Sequence, residues 1–150
     1  MNIVLRKAVS DDIPKIEELL LEMLKTIYHT DDPGNFETDY LKKFFTGSGD
    51  WICVAEDGNE IVAFLSIEVY RNDDYIYLDD FSVCKKYRNS GIGTSMIRTA
   101  EDFAEKSGIS DVVLHVEKAN EGAFRLYSKL GFSIADEQGS RFRMVKTIVH

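Results

Sequence analysis

Seven consecutive residues, Arg88, Asn89, Ser90, Gly91, Ile92, Gly93 and Thr94, have types and spacing suited to holding an anion. They fall between a β-rich run and a run of helical periodicity. An anion needs backbone N–H groups aimed at it, and a helix N-terminus supplies several of them with the positive end of the helix dipole. Gly91 and Gly93 let a ligand approach the main chain closely, and glycine accepts the unusual dihedrals of such a nest. Arg88 adds a fixed positive charge. Two other phosphate patterns do not fit: Met96 stands where a dinucleotide fingerprint needs its third glycine, and no Gly-Lys-Ser/Thr follows either glycine. Taken alone, Gly-x-Gly before a helix serves equally well as a plain tight turn. Asp79 and Asp80 form a second feature, adjacent carboxylates in an otherwise apolar strand, where burying one is costly without a partner.

The elements that must position these groups can be read along the chain. Residues 2–7 read as a strand, and Ser10 is placed to cap a helix with Asp11 and Asp12 in its first turn. Ile13, Ile16, Leu20, Met23, Leu24 and Ile27 follow at helical spacing and give that helix one apolar face. Residues 28–36 are rich in turn formers, and 37–45 read as a short second helix. Strands are expected at 51–55 and 61–69, joined through Asp57-Gly58-Asn59, and again at 75–83. A helix over 92–107 closes at Gly108, a strand covers 111–116, a helix over 120–130 stops at Gly131, and two strands flank the 137–140 turn. This order predicts one domain with a mixed α/β sheet and helices on both faces. The strands from Tyr75 and Asp111 must run parallel, because a helix crosses between them.

Two stretches together resemble a known family. Phe81-Ser82-Val83 leading into Arg88-x-x-Gly91-x-Gly93 is similar to the Arg/Gln-x-x-Gly-x-Gly/Ala signature of the GNAT N-acetyltransferases. Downstream, His115, Asn120, Ala123, Tyr127 and the Gly131-Phe132 pair resemble the family's second signature, in the same order. Lys86 and Asn89 depart from the proline and glycine common there, but Asn keeps its N–H and tolerates left-handed dihedrals.

The resemblance implies a GNAT fold, a mostly antiparallel sheet with one splayed parallel pair, and acetyl-CoA as cosubstrate without a metal. It implies that the main chain at Phe81, Ser82 and Val83 pairs with the pantetheine arm and that residues 88–94 take the pyrophosphate. Asn120 is carried over as a residue near the arm, while its position also suits an N-cap, and both roles can hold. Tyr127 matches the family's acid at the leaving sulfur, with a packed core tyrosine as the alternative. For the base, His115 and Tyr77 occupy positions used by some protein N-terminal acetyltransferases. Asp79 or Asp80 reaching the acceptor cleft and a water are the other candidates. The acceptor site is expected from residues 28–40, acidic through Asp31, Asp32, Glu37 and Asp39, and from 136–142. The hairpin tip at 137–140 carries no tyrosine pair, which points to a small amine rather than a peptide.

Composition bounds these expectations. At 150 residues with 44% apolar and 29% charged residues, the chain has the size and balance of a single globular domain. A formal net charge of −8 works against nucleic acid as a partner and suits a cationic one. No apolar run approaches the ~20 residues of a membrane span, and the charged start lacks a signal peptide's apolar stretch, so the expected compartment is the cytoplasm. Cys53 and Cys84 form no disulfide framework or metal spacing and read as small apolar residues. Monomer and homodimer stay equally open.

Overall fold

In the computed structural model the described residues are 2–28 and 38–148. Seven strands, β1 (Ile3–Lys7), β2 (Trp51–Asp57), β3 (Glu60–Tyr70), β4 (Tyr75–Val83), β5 (Asp111–Glu117), β6 (Ser133–Gln138) and β7 (Arg141–Thr147), alternate with three α-helices. These are α1 (Ile13–Tyr28), α2 (Ile92–Lys106) and α3 (Glu121–Lys129). The strands form one sheet in the order β1-β2-β3-β4-β5-β7-β6. Pairing is antiparallel between β1 and β2, β2 and β3, β5 and β7, and β6 and β7, and parallel between β4 and β5. The chain divides into two compact units, Met1–Ile67 with Asp80–Met96, and Glu68–Asp79 with Ile97–His150.

In the first unit the apolar stripe of α1 does what its spacing predicts. Ile16, Leu19 and Leu20 pack with Ile52, Val54 and Phe64 in a core completed by Leu41 and Phe44. Each such side chain contributes about 1.5–3 kcal/mol on burial. The start of α1 differs from expectation. Ser10 does not cap it; Ser10–Asp12 form a 3-10 turn whose N-cap is Val9. The Asp12 carboxylate accepts the Val9 N–H at 2.8 Å and receives both terminal nitrogens of Arg6, at 2.8 and 2.9 Å. Arg6 also grips Glu56, at 2.7 and 2.9 Å. A bidentate guanidinium holds a carboxylate better than a hydroxyl can compete for the same turn. The segment Thr38–Phe45 is likewise 3-10 rather than α-helical, its Leu41 and Phe44 eclipsed three residues apart and both buried.

In the second unit, α2 lies on the face of β5 and β7 that carries Leu114, Met144 and Lys146, tied there by the Lys146–Glu101 ion pair at 2.6 Å. Strand alternation puts Val113, His115 and Arg143 on the other face. The parallel register of β4 and β5 runs from Tyr75↔Asp111 to Leu78↔Leu114 and stops, although β4 continues to Val83 and β5 to Glu117. Both helix stops fall where glycine placed them. The N–H groups of Gly108 and Ile109 return to Glu105 and Ala104, and those of Gly131 and Phe132 to Ser128 and Tyr127. Each is a Schellman closure, satisfying carbonyls the helix leaves open.

Candidate active site

The stretch read as an anion cradle is a built loop. From Val83 the chain makes a single 3-10 turn, Lys85–Tyr87, before α2 begins at Ile92. Tyr87 is buried beneath it, and its hydroxyl donates to Asp57 at 2.6 Å. That bond pushes the Tyr87 hydroxyl up to about 12 and holds the Asp57 carboxyl below its usual range. Ser90 donates its hydroxyl to the Tyr87 carbonyl. Asn89 at φ +61° and Gly91 at φ +86° bracket Ser90, the alternating backbone that turns successive N–H groups toward one side. Gly93 is closely approached instead: a Cβ there would lie 3.2 Å from the Phe81 ring, which would have to give by a few tenths of an ångström. The first-turn N–H groups of α2, at Ile92, Gly93 and Thr94, have no partner inside the helix by its geometry.

Arg88 donates Nε to the Val83 carbonyl at 3.0 Å. A cavity of about 510 Å³ is lined by Ser82, Val83, Cys84 and Arg88, with Glu22 and Met23 from α1. Two segments singled out in the sequence, the end of β4 and the loop after it, therefore share one concavity. Its walls offer the main chain at the end of β4 and a guanidinium, and the loop from Arg88 leads on to the N-terminus of α2. Burial pushes the Cys84 thiol up, away from the thiolate form that a nucleophile needs.

In the second unit, Tyr77 and His115 come together, with the phenolic oxygen 2.6 Å from Nδ1 of the imidazole. The other ring nitrogen, Nε2, lies 2.8 Å from the side-chain oxygen of Gln138. A cavity of about 220 Å³ opens beside them, walled by Glu68, Tyr70, Tyr75 and Arg143 as well. Tyr70 and Tyr75 stack at 4.7 Å, and the Tyr70 hydroxyl reaches Glu68 at 3.3 Å. Arg143 is neutralised by Asp136 at 3.1 Å. A phenol against an imidazole in an aromatic pocket can pass a proton.

Asn120 caps α3, accepting the Ala123 N–H at 3.1 Å. That uses its side-chain oxygen and leaves the amide nitrogen as a donor. Tyr127 lies in the last turn of α3, and the Schellman closure sets the Phe132 ring edge-on to it at 6.1 Å. Burial pushes the Tyr127 hydroxyl up, which keeps it protonated throughout neutral pH.

Alternation separates the two carboxylates. Asp79 is exposed, while Asp80, in the first unit, receives the Tyr40 hydroxyl at 2.6 Å and binds Ser66 through its main chain at 2.8 Å. Asp31, Asp32 and Glu37 of the acidic segment lie outside the described residues, as does the side chain of Asp39. The hairpin of β6 and β7 turns through Gly139 and Ser140 alone. Sequence reading missed Gln138, whose side chain acts across 23 residues, and Asp57, which anchors the loop from the far side of a hairpin. Among the described residues no three His, Cys, Asp or Glu side chains gather as metal ligands, and no helix is long and apolar enough to cross a membrane.

Comparison with known proteins gives this arrangement its context. The probable N-acetyltransferase san of Drosophila melanogaster is 35% identical over 81 residues, 53% of this chain and 44% of that protein. N-acetyltransferase 8F1 of Rattus norvegicus is 31% identical over 69% of this chain and 47% of its own length. The chain spans between 25% and 47% of the length of the first curated relatives it matches. In three dimensions, the PaiA N-acetyltransferase of Thermoplasma acidophilum, solved in complex with coenzyme A, superposes with a TM-score of 0.80. It is 22% identical, with 98% of this chain and 99% of that one covered, and the likeness speaks for the fold. The acetyltransferase (GNAT) family profile matches residues 14–132, a stretch that holds the glycine loop, Tyr77, His115, Asn120 and Tyr127 together, and the chain belongs to that family.

Proposed function

We propose that this chain is a single N-acetyltransferase domain that transfers the acetyl group of acetyl-CoA to a small primary amine by direct attack. The observation that carries the reading is the loop of residues 88–94 with the cavity of about 510 Å³ at Ser82, Val83 and Arg88. On this reading the N–H groups of residues 89–94 and the Arg88 guanidinium bind the pyrophosphate. The main chain of Phe81, Ser82 and Val83 holds the pantetheine amides as an added strand would, and Asn120 offers its amide nitrogen to the arm. Acetyl-CoA supplies the thioester, and this chain supplies the proton chemistry around it.

That chemistry has two parts. An alkylamine has a pKa of ~10.4, so at pH 7 the nucleophilic form is only about one molecule in 2,500, a handicap of roughly 4–5 kcal/mol. His115 removes the ammonium proton through Tyr77, with which it already shares a short hydrogen bond. Asp80 is engaged by Tyr40 and Asp79 faces outward, which favours the histidine over either carboxylate. Tyr127 donates to the departing thiolate. The alternative acceptor is a peptide N-terminus, favoured by the same Tyr77–His115 pair and disfavoured by the two-residue hairpin tip.

Release of free CoA, followed with a thiol reagent, over a panel of spermidine, an aminoglycoside and a peptide with a free N-terminus tests the proposal. We expect release with the first two. Release with the peptide alone would replace the small-amine acceptor. Thermal stabilisation by acetyl-CoA with no release for any amine would make the chain an acyl-CoA-binding sensor instead.

A further inference from the structure

His115 is held at both ring nitrogens, and the two partners are not equivalent. A neutral imidazole carries one N–H and one lone pair, and its neighbours decide which nitrogen has which. The side-chain oxygen of Gln138, 2.8 Å from Nε2, can only accept. With that oxygen, and not the amide NH2, turned to the ring, Nε2 is assigned the hydrogen. Nδ1 turns its lone pair to Tyr77, and the phenol is the donor in the 2.6 Å contact. We propose that Gln138 is a positioning residue for the proton acceptor, fixing His115 as the Nε2–H tautomer so that Tyr77 always donates to Nδ1.

This inference rests on the reading of His115 as the base, and it specifies the step. A proton leaves the ammonium nitrogen for the Tyr77 oxygen as the phenolic proton moves to Nδ1. The amine keeps the electron pair of the broken N–H bond, Tyr77 is neutral before and after, and His115 ends as the imidazolium. Both imidazolium N–H groups then meet oxygens, Tyr77 on one side and Gln138 on the other. In the opposite tautomer Nδ1–H faces Tyr77, the lone pair faces Gln138, and the transfer has nowhere to go.

The fold makes the contact dependable. β6 and β7 pair Asp136 with Arg143 and Gln138 with Arg141, and β7 and β5 pair Arg143 with His115. Strand alternation therefore sets Asp136, Gln138, Arg143 and His115 on one face. Among the described residues, the charged groups around the ring and on its face are Glu68 of β3, Glu117 of β5, Asp136 of β6, and Arg141 and Arg143 of β7, with Arg143 paired to Asp136. Tyr75 of β4 adds a phenol, and Glu137, beside Gln138, is bound by Lys118. A neutral amide suits the position. A carboxylate there would favour the imidazolium and retain the proton that must be shed after each turnover.

The test uses Gln138→Leu, which neither accepts nor donates, and Gln138→Glu, which only accepts. Each protein, labelled with 15N-histidine, is examined by long-range 1H–15N NMR, with His115→Ala assigning the signal. We expect the Nε2–H tautomer in wild type and Gln138→Glu, and a tautomer mixture in Gln138→Leu. In acetyl transfer to the best amine of the panel, Gln138→Leu should lose roughly 10-fold to 100-fold in kcat/KM, by analogy with outer partners of metal-bound histidines. Its KM for acetyl-CoA should not change. Gln138→Glu should move the low-pH limb of the profile to higher pH and restore most of the rate only above that limb. A wild-type ring carrying its hydrogen on Nδ1, or a Gln138→Leu variant with the wild-type spectrum or pH profile, would overturn the assignment. If no amine in the panel is acetylated, that failure falls on the acetyl-transfer reading, and the spectra still decide the role of Gln138.

Discussion

Replacing Gly91 with alanine isolates one property of the anion loop. At this residue φ is +86°, and a Cβ built there meets no atom within 4 Å. Crowding therefore contributes nothing, and the whole cost is the left-handed backbone, about 1–2 kcal/mol for an L-residue. Alanine returns part of this by restricting the unfolded chain, about 0.4–1 kcal/mol. A net loss of roughly 1 kcal/mol corresponds to about 2–4 °C in Tm for a chain of this size. The loop has one escape, rotating the peptide at 91–92 back to negative φ, which would turn N–H groups away from the ligand. Scanning fluorimetry with and without acetyl-CoA reads both outcomes. At a ligand concentration of 100 Kd, wild type should gain about 2.7 kcal/mol. Gly91→Ala should lose either apo Tm or much of that gain. Asparagine tolerates left-handed dihedrals, so Gly91→Asn should fall between the two. If Gly91→Ala matches wild type in both scans, the loop does not depend on this backbone and the cradle assignment is wrong.

Three further outcomes are expected. Tyr127→Phe should lower kcat by roughly 10-fold to 10³-fold while leaving acetyl-CoA affinity near normal, as for the loss of one general acid; full activity would make Tyr127 a packing residue of the Phe132 contact. His115→Ala should erase the rising low-pH limb of log(kcat/KM), and a profile of unchanged shape would remove histidine as base whatever the rate. Asp12→Asn should lower Tm at pH 7 by a few degrees. The Arg6 hydrogen bonds, aided by the Val9 N–H, hold this carboxyl below its usual range. Its stabilisation is therefore complete above the unfolded value of ~3.9 and fades as pH falls through the folded one. The gap between variant and wild type should accordingly close below about pH 4, and a gap independent of pH would show the ion pair to be incidental.

Sequence periodicity and punctuation located most elements because their causes are local. β4 spans Tyr75–Val83 as read, α2 starts at Ile92, and Gly108 and Gly131 end helices through bonds to residues three and five positions back. Where the cause is distant, the reading failed or stayed open. Ser10 had the local claim to cap α1, but it lies inside a 3-10 turn closed by Asp12, whose carboxylate takes the Val9 N–H and is held by Arg6 of β1. Asp79 and Asp80 were indistinguishable by type, and Tyr40, 40 residues away, sets them apart. Tyr77 and His115 could be named from resemblance. Gln138 could not, since nothing in a surface glutamine near a turn announces a partner 23 residues earlier.

The bond from Arg88 Nε to the Val83 carbonyl has a consequence for recognition. An arginine has about 2 kcal/mol of rotamer entropy to lose when it is immobilised. Here part of that loss is already taken in the free protein, because one nitrogen of the planar fork is committed to the main chain. The two terminal NH2 groups are then presented as a rigid pair instead of being gathered from many rotamers at each encounter. Lysine at this position would bring the same charge but no second nitrogen with which to anchor itself, so Arg88→Lys should weaken binding by slowing capture and loosening the complex together.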